Sequence, residues 1–214
     1  MAVGMLNFEL YLHKIQLIMS KLIAVLILSL TFTTTIMAQK GFKIQKEILI
    51  DVPASELWEM VGPGFVEVYK WSSNVDHAVG EGEGEFEGAV CSERFCDVNV
   101  KGFSKISEKL IKYDENEMNL AYQVQDGMPK FVTKALNDWT VIPVDANQSK
   151  LVMKAEFSAK GLMGAMMKGM MRKKMDQTLD TVLMDAKVYA ETGNISESKR
   201  KRIAQLKGKQ KKAA

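Results

Sequence analysis

The sequence contains few of the residues from which most enzyme and metal sites are built. Its 214 residues include two histidines and two cysteines, and only one histidine, His77, lies beyond residue 38. The spacing of Cys91 and Cys96 does not match a zinc site, so no metal or cofactor is expected. A glycine-rich phosphate loop, a nucleotide-binding fingerprint and a nucleophile–base pair with an orienting group are also missing. The sequence therefore carries no catalytic signature.

Long hydrophobic runs are scarce as well, and the clearest lies near the N-terminus at residues 22–30. Lys21 precedes this run, and a threonine-rich stretch with Ile36 and Ala38 follows it. A membrane-spanning helix needs roughly 20 apolar residues, more than this run provides. A basic residue, a short apolar run and a small residue at the cut are typical of a secretion signal. We therefore expect cleavage after Ala38 and export to the periplasm or beyond, with a membrane anchor as the alternative.

The expected cut divides the chain into three parts. Residues 1–38 form the signal segment, of which residues 1–18 are interpreted as an upstream extension because Met19 can open a signal by itself. Residues 39–192 are long enough for one domain with a hydrophobic core. Residues 193–214 form a basic C-terminal tail.

Charge is distributed unevenly between the domain and the tail. Residues 39–192 contain 19 Lys and Arg against 24 Asp and Glu, a net charge of −5, whereas residues 193–214 contain 8 against 1, a net charge of +7. Such a tail could bind an anionic membrane surface. The other interpretation, which we favour, is a solvated and frayed terminus, as chain ends usually are. Export argues against nucleic acid as a partner, and a protein partner stays open.

Apolar periodicity and turn residues predict a strand, two short helices, an antiparallel sheet and a long helix, in that order. The first helix follows Pro53, with Ser55 or Asp51 available as its cap. Turn residues recur between residues 73 and 158 and predict a meander of about six strands. Gly193 ends the long helix. The predicted bounds are 42–52 for the first strand, 54–61 and 65–70 for the short helices, and 162–190 for the long helix.

One hairpin gives a testable register. A three-residue loop, Val100-Lys101-Gly102, requires a left-handed residue at its last position, and Gly102 supplies it. This loop places Arg94 opposite Glu108 on the next strand, so we expect an ion pair between them.

The segment from residue 81 to residue 96 contains alternating glutamates and both cysteines. The glutamates at every second position from 81 to 87 would align on one face of a strand, and we interpret them as a solvated edge rather than a calcium site. Cys91 and Cys96 would lie roughly 16 Å apart in an extended strand. A disulfide spans about 7 Å between Cα atoms, so we expect two separate thiols.

Several motifs accompany this order of elements: Ile50-Asp51-Val52-Pro53-Ala54 leading into Leu57-Trp58, then Trp71, residues 88–94, Glu108 with Tyr113-Asp114, and the terminal helix. With them the chain resembles, from about residue 42 to 192, the superfamily of START lipid-transfer domains, the birch-pollen allergen group and bacterial polyketide cyclase/dehydrase-like proteins (SRPBCC). The resemblance implies an α+β helix-grip fold. In that fold a curved antiparallel sheet of six to seven strands wraps around a long C-terminal helix and leaves a cavity for an apolar ligand.

Candidate ligand-binding residues are of three kinds. Six methionines between residues 163 and 175 suit either a flexible cavity wall or an ordinary core, with membrane contact as a third interpretation. Large rings with a polar atom are useful in pockets, although Trp58 is better explained as core. The Arg94–Glu108 pair could orient a polar head group or act in acid–base chemistry. The candidates are Trp71, Arg94, Glu108, Tyr122, Trp139, Met163, Met167 and Met170.

The function that fits these features best is that of an exported binding protein for a small lipophilic molecule. One alternative is an enzyme of cyclase or dehydratase type that uses Glu108 or His77 in proton transfer. Another is an accessory protein that docks on an envelope complex. His77 could act as the general base, but a lone histidine in a polar segment is usually solvated.

Overall fold

The computed structural model describes residues 16–17, 19–21, 40–100 and 103–213. Contacts divide the chain into residues 1–38 and 39–214, and every element discussed here belongs to the second unit. The predicted apolar run and the cut after Ala38 lie outside the described residues, so export stays a prediction. No described helix is both long enough and apolar enough to cross a membrane.

Seven antiparallel strands form one sheet in the order β1-β7-β6-β5-β4-β3-β2. Each of the six strands β2 to β7 pairs with its neighbour in sequence, and β1 joins the sheet beside β7. The predicted meander and the helix-grip fold are confirmed. The strands are β1 Lys40–Ile50, β2 Val75–Glu81, β3 Glu93–Val100, β4 Phe103–Asp114, β5 Asn119–Asp126, β6 Val132–Pro143 and β7 Ser149–Ala159.

The short helices follow β1, as predicted, but the first is capped differently. Pro53 occupies the N-cap position and no side chain caps the helix, so Ser55 and Asp51 do not have the predicted role. The Asp51 carboxylate instead accepts a hydrogen bond from the Gln148 side chain at 2.7 Å. Gly193, at φ 66°, ends the long helix in the predicted left-handed conformation. The helices are α1 Ala54–Val61, a 3₁₀ helix Pro63–Glu67, α2 Val68–Trp71, α3 Gly161–Thr192 and α4 Glu197–Ala213.

The core lies between the sheet and the C-terminal half of α3. Alternate residues of β7, among them Leu151 and Met153, are at most 3% exposed, as the period-two pattern predicts. Leu179 and Leu183 of α3 are buried against this face. Lys46 of β1 holds the helix in place through ion pairs with Asp176 and Asp180 at 3.0 and 3.1 Å.

The six methionines in the N-terminal half of α3 are only partly buried. A cavity wall and an ordinary core, two of the three interpretations of this cluster, require buried side chains, yet Met163, Met166 and Met170 are 53%, 73% and 46% exposed. Met171 and Met175 are the members of the cluster that pack against the core. The helix is apolar around most of its circumference here, so spacing alone does not select the inner face.

Two local predictions in the β2–β4 region are corrected. The Glu81 to Glu87 segment is not a strand, because β2 ends at Glu81 and residues 82–92 form turns and bends. Gly82 and Gly88 have φ values of 73° and 79°, which interrupt extended backbone. The β3–β4 pairing shifts register after Asp97 and brings Val100 opposite Phe103, so the predicted three-residue loop is wrong. Lys101 and Gly102 themselves lie outside the described residues.

The basic tail is a docked helix rather than a frayed end. Lys199 of α4 is 4% exposed, and its Nζ donates a hydrogen bond to the Val75 carbonyl at 2.8 Å. Arg202 pairs with the Asp76 carboxylate, with Nε to Oδ1 at 2.8 Å. Sequence composition did not indicate this because two of the eight basic residues face inward and find specific acceptors.

Candidate functional site

A cavity of about 130 Å³ lies between the C-terminal half of α3, α2 and strands β3 to β7; we call it the inner cavity. Its wall is mostly aliphatic and aromatic, as is usual for sites that hold small molecules. A few polar side chains interrupt this wall. They are Ser72, Asn74, Arg94, Glu108, Tyr122, Asn137 and Thr178.

Arg94 and Glu108 form the charged part of the inner cavity wall. They are paired residues of β3 and β4, and they are 2% and 5% exposed. Arg94 Nε and Nη2 both donate to Glu108 Oε2, at 2.9 and 2.6 Å, which confirms the predicted ion pair. Nη1 donates to the Phe65 carbonyl. The hydrogen bonds described for the Glu108 carboxylate all go to Oε2, which leaves Oε1 as the oxygen that a ligand could use.

Two aromatic rings that also contact each other lie against the guanidinium. The Arg94 Cζ lies 3.8 Å from the centre of the Phe65 ring and 5.2 Å from that of Tyr122. These contacts add cation–π attraction to the ion pair in a site that water does not screen. Burial is the strongest single influence and lowers the pKa of Arg94, but Glu108, together with Cys96 and Tyr122, outweighs it, so the pKa is raised. Arg94 is therefore a fixed cation.

The neighbouring protic groups stay protonated at neutral pH. Burial raises the pKa of the Cys96 thiol to about 12, and its sulfur lies 3.5 Å from Glu108 Oε2. Burial also raises the pKa of the Tyr122 phenol and of the Cys91 thiol. Cys91 and Cys96 are separate thiols, as expected. Because a thiolate is the reactive form, neither cysteine is suited to nucleophilic catalysis at neutral pH.

Two of the three aromatic candidates line the inner cavity, and the third packs against one of them outside it. Tyr122 and Trp139 line the inner cavity, with ring centres 5.9 Å apart at 66°. Trp71, 2% exposed, does not line it and packs behind Trp139 at 6.3 Å. The Trp139 Nε1–H is buried and has no acceptor among the described residues. Trp58 packs against the Tyr113 ring in the core, as expected.

A second cavity of about 230 Å³ adjoins the first; we call it the outer cavity. It lies between the N-terminal half of α3, the β5–β6 loop and the β1 and β7 strands. Met167 and Met170 line it, whereas Met163 lines neither cavity. Four residues line both cavities and so mark their junction: Val100, Met128, Met175 and Thr178.

Sequence reasoning missed Asn137, Thr178 and the loop residues Met128 and Phe131. A signal existed for Asn137, because it alternates with Trp139 along β6 and so faces the same side. Thr178 is polar on an otherwise apolar helix face. The loop residues gave no signal, since a loop has no periodicity from which to read a face.

His77 is exposed and lies outside both cavities. It lines a shallow cleft with Phe95, Asp97 and Lys105 at the β2 edge of the sheet, and its ring lies 5.8 Å from Tyr69. Of the two proposed bases, only Glu108 reaches the inner cavity. No group of three or more metal-ligating side chains occurs among the residues that the structure describes.

Solved structures with the same fold include three informative ones. The Zhui aromatase/cyclase from Streptomyces sp. R1128 has a TM-score of 0.56 and 14% identity over 73% of this chain and 100% of that one. Norcoclaurine synthase from Thalictrum flavum, solved with a transition-state analogue, has a TM-score of 0.55 and 15% identity over 70% and 96%. A START superfamily protein from Mycobacterium smegmatis has a TM-score of 0.53 and 15% identity over 66% of this chain and 93% of that one. The TM-scores show a shared fold, and identities this low show nothing beyond the fold.

The sequence itself gives the assignment. No curated protein sequence matches the chain. The model of one family, described as polyketide cyclase / dehydrase and lipid transport, matches residues 41–183. This range contains most of α3 and all seven strands, apart from the first residue of β1. This match covers more than half of the chain and shows that the chain belongs to the polyketide cyclase / dehydrase and lipid transport family.

Proposed function

We propose that this protein is an exported binding protein that holds a small, uncharged lipophilic molecule in the inner and outer cavities. The observation that carries the proposal is the apolar inner cavity whose charged wall is the Arg94–Glu108 pair. Apolar walls with a few placed polar groups favour a lipophile and fix its orientation.

The size of the cavities indicates how the ligand lies. Ligand sites usually measure about 300 Å³ or more, and the inner cavity alone measures about 130 Å³. A ligand of ordinary size therefore reaches through the junction at Met175 and Thr178 into the outer cavity of about 230 Å³. Methionines on that side can adjust their rotamers to ligands of different shape.

The charge of the wall indicates the head group. Arg94 is neutralised by Glu108, so the pair attracts neither an anion nor a cation strongly. Glu108 Oε1 can accept a hydrogen bond from a hydroxyl, and the Asn137 amide can donate to a carbonyl. The ligand class that fits is an apolar molecule with one hydroxyl or carbonyl group.

An enzyme of cyclase or dehydratase type is the second candidate. Two neighbours of this fold are named as an aromatase/cyclase and a synthase. The feature that favours the idea here is the Glu108 carboxylate next to the protonated Tyr122 phenol in one cavity wall. A carboxylate and a phenol can accept and donate a proton, respectively. If Glu108→Gln leaves turnover of an identified substrate unchanged, this role is excluded.

Filling the junction of the two cavities tests the binding proposal. Thr178→Phe places a ring between the cavities, whereas Thr181→Phe makes the same change on α3 where neither cavity is lined. The probe is N-phenyl-1-naphthylamine, a neutral lipophile whose fluorescence rises in apolar sites. We expect the full chain and Thr181→Phe to bind it alike, and Thr178→Phe to bind about tenfold more weakly, a loss of about 1.4 kcal/mol. Equal binding by both variants would overturn the proposal.

Identification of the natural ligand uses native mass spectrometry of the gently purified full chain. A co-purified small lipophile supports the binding function. A co-purified envelope protein without a lipophile would instead support the accessory-protein alternative.

A further inference from the structure

The first three turns of α3 expose an unusual amount of apolar surface. Leu162, Met163, Met166 and Met170 are 75%, 53%, 73% and 46% exposed. With 3.6 residues per turn, these four side chains lie within an arc of about 100° on the solvent side of the helix. They form one continuous face, which we call the methionine face.

The surroundings of the methionine face are basic. Five basic residues and no acidic residue occur between positions 160 and 175: Lys160, Lys168, Arg172, Lys173 and Lys174. This local excess stands on a domain whose residues 39–192 carry a net charge of −5. An apolar face flanked by lysines is the pattern of helices that lie in the head-group layer of anionic membranes.

The face is continuous with the outer cavity. Met170 is both half-exposed and part of the cavity wall, and Lys174 lines the same cavity. The backbone N–H of Lys160 donates to the Phe131 carbonyl at 2.8 Å, which fixes the β5–β6 loop beside the start of α3. Phe131 also lines the outer cavity. A surface that covered the methionine face would therefore meet the side of the protein where the outer cavity opens.

We propose that the methionine face docks on an anionic lipid bilayer, with Leu162, Met163 and Met166 in the head-group layer and the exposed Lys173 and Lys174 on lipid phosphates. A second copy of this chain fits less well, because it would bring five more positive charges against the first five. The proposal goes beyond ligand binding and is tested without any ligand, so it can fail while the cavity proposal stands.

Vesicle flotation with the full chain tests the apolar part. Leu162→Gln/Met166→Gln removes two exposed side chains that line neither cavity. Met184→Gln is the matched control, since Met184 is a 53% exposed methionine on the same helix, about five turns beyond Met166 and outside the face. On vesicles of phosphatidylcholine with phosphatidylglycerol we expect the double variant to bind at least about fivefold less, and Met184→Gln to bind as the original chain does. Equal binding by all three would overturn the proposal.

A second comparison separates α3 from the basic helix α4. Lys173→Gln/Lys174→Gln should weaken binding to the anionic vesicles, and vesicles of phosphatidylcholine alone should bind the original chain weakly. Lys207→Gln/Lys209→Gln removes the same charge from α4 and should leave most binding intact. Loss confined to the α4 variant would overturn the assignment to α3. So would a dimer in light scattering that Leu162→Gln/Met166→Gln dissociates.

Discussion

Arg94 of β3 and Glu108 of β4 meet as a buried ion pair, with two guanidinium nitrogens 2.9 and 2.6 Å from one carboxylate oxygen. Their side chains are 3% and 7% exposed, so both have left water. Such a pair gains little net stability, because the cost of desolvating two charges offsets their attraction. A role in ligand binding therefore explains the position of the pair in the cavity wall better than a contribution to folding stability does.

Breaking and replacing the pair should have opposite effects. Arg94→Met leaves the Glu108 carboxylate buried without its partner and should lower the free energy of unfolding by about 3–5 kcal/mol. Arg94→Met/Glu108→Leu removes both charges and should recover most of that loss. Urea unfolding of the full chain, followed by tryptophan fluorescence, measures both values.

An exposed ion pair provides the control. The side chains of Lys112, on β4, and Glu117, in the turn after β4, are 46% and 61% exposed, so Lys112→Met should cost less than about 1 kcal/mol. If Arg94→Met costs no more than Lys112→Met, or if the double variant is as unstable as Arg94→Met, burial of the charges does not govern the pair.

The protein should lose stability in alkaline solution. Burial raises the pKa of Cys96 from 9.0 to about 12 and that of Tyr113 from 10.0 to about 12. Between these values the folded chain holds protons that the unfolded chain has lost. The free energy of unfolding therefore has its full value below about pH 9. It declines as the pH rises toward 12, by up to about 1.4 kcal/mol per pH unit for each group.

Chemical unfolding at a series of pH values measures this decline, and Cys96→Ala isolates one contribution. The variant lacks one titrating group, so its free energy of unfolding should decline less steeply above about pH 9. A flat profile for the original chain, or the same slope in Cys96→Ala, would contradict the prediction.

Helix α4 is tied to the domain through a buried carboxylate as well as through Arg202. Asp185 of α3, 1% exposed, accepts hydrogen bonds from the Ser73 N–H and hydroxyl, both at 2.7 Å, and from the Ser196 hydroxyl. Ser196 stands immediately before α4 and also accepts the Lys199 N–H at 3.1 Å. The start of α4 is therefore fixed, and its later turns depend on the Arg202–Asp76 pair.

Arg202→Ala should loosen α4 without unfolding the sheet. We expect amide hydrogen exchange across residues 203–211 to become at least about tenfold faster, while β6 and β7 stay protected. Lys201→Ala is the control, because Lys201 pairs with Glu197 of the same helix on the surface, where both side chains are 71% exposed. Faster exchange in both variants, or in neither, would show that the Asp76 contact does not hold the helix.

The fold could be predicted because its signals are local. Period-two apolar residues on β7, the Pro53 start of α1 and the Gly193 end of α3 each follow from backbone geometry. The Arg94–Glu108 pairing was also correct although the loop that suggested it was not, because the register shift lies beyond Asp97 and does not reach Arg94.

The site could be predicted only in part, because a cavity is a property of packing. Tyr122, Trp139 and the ion pair were found from residue type and strand face. Trp71 is of the same type, but Trp139 separates it from the cavity. Met163 shares its helix with Met167, yet it lies on the solvent side of α3 and is 53% exposed, although the neighbouring Gly164 is buried. Which side of a helix that is apolar around most of its circumference is covered depends on the sheet and loop beside it.

Export predicts a defined N-terminus. When the full chain is expressed from Met1 in a bacterium, we expect the product outside the cytoplasm to begin at Gln39, because signal peptidase requires a small residue such as Ala38 before the cut. Ala38→Arg should block cleavage and leave the longer precursor, whereas Lys40→Arg, just beyond the cut, should be processed normally. N-terminal sequencing and intact mass distinguish these products. A chain that keeps residues 22–30 and stays with the membrane would contradict cleavage and favour the anchor. In that case residues 22–30, rather than the methionine face, would bring the protein to the bilayer.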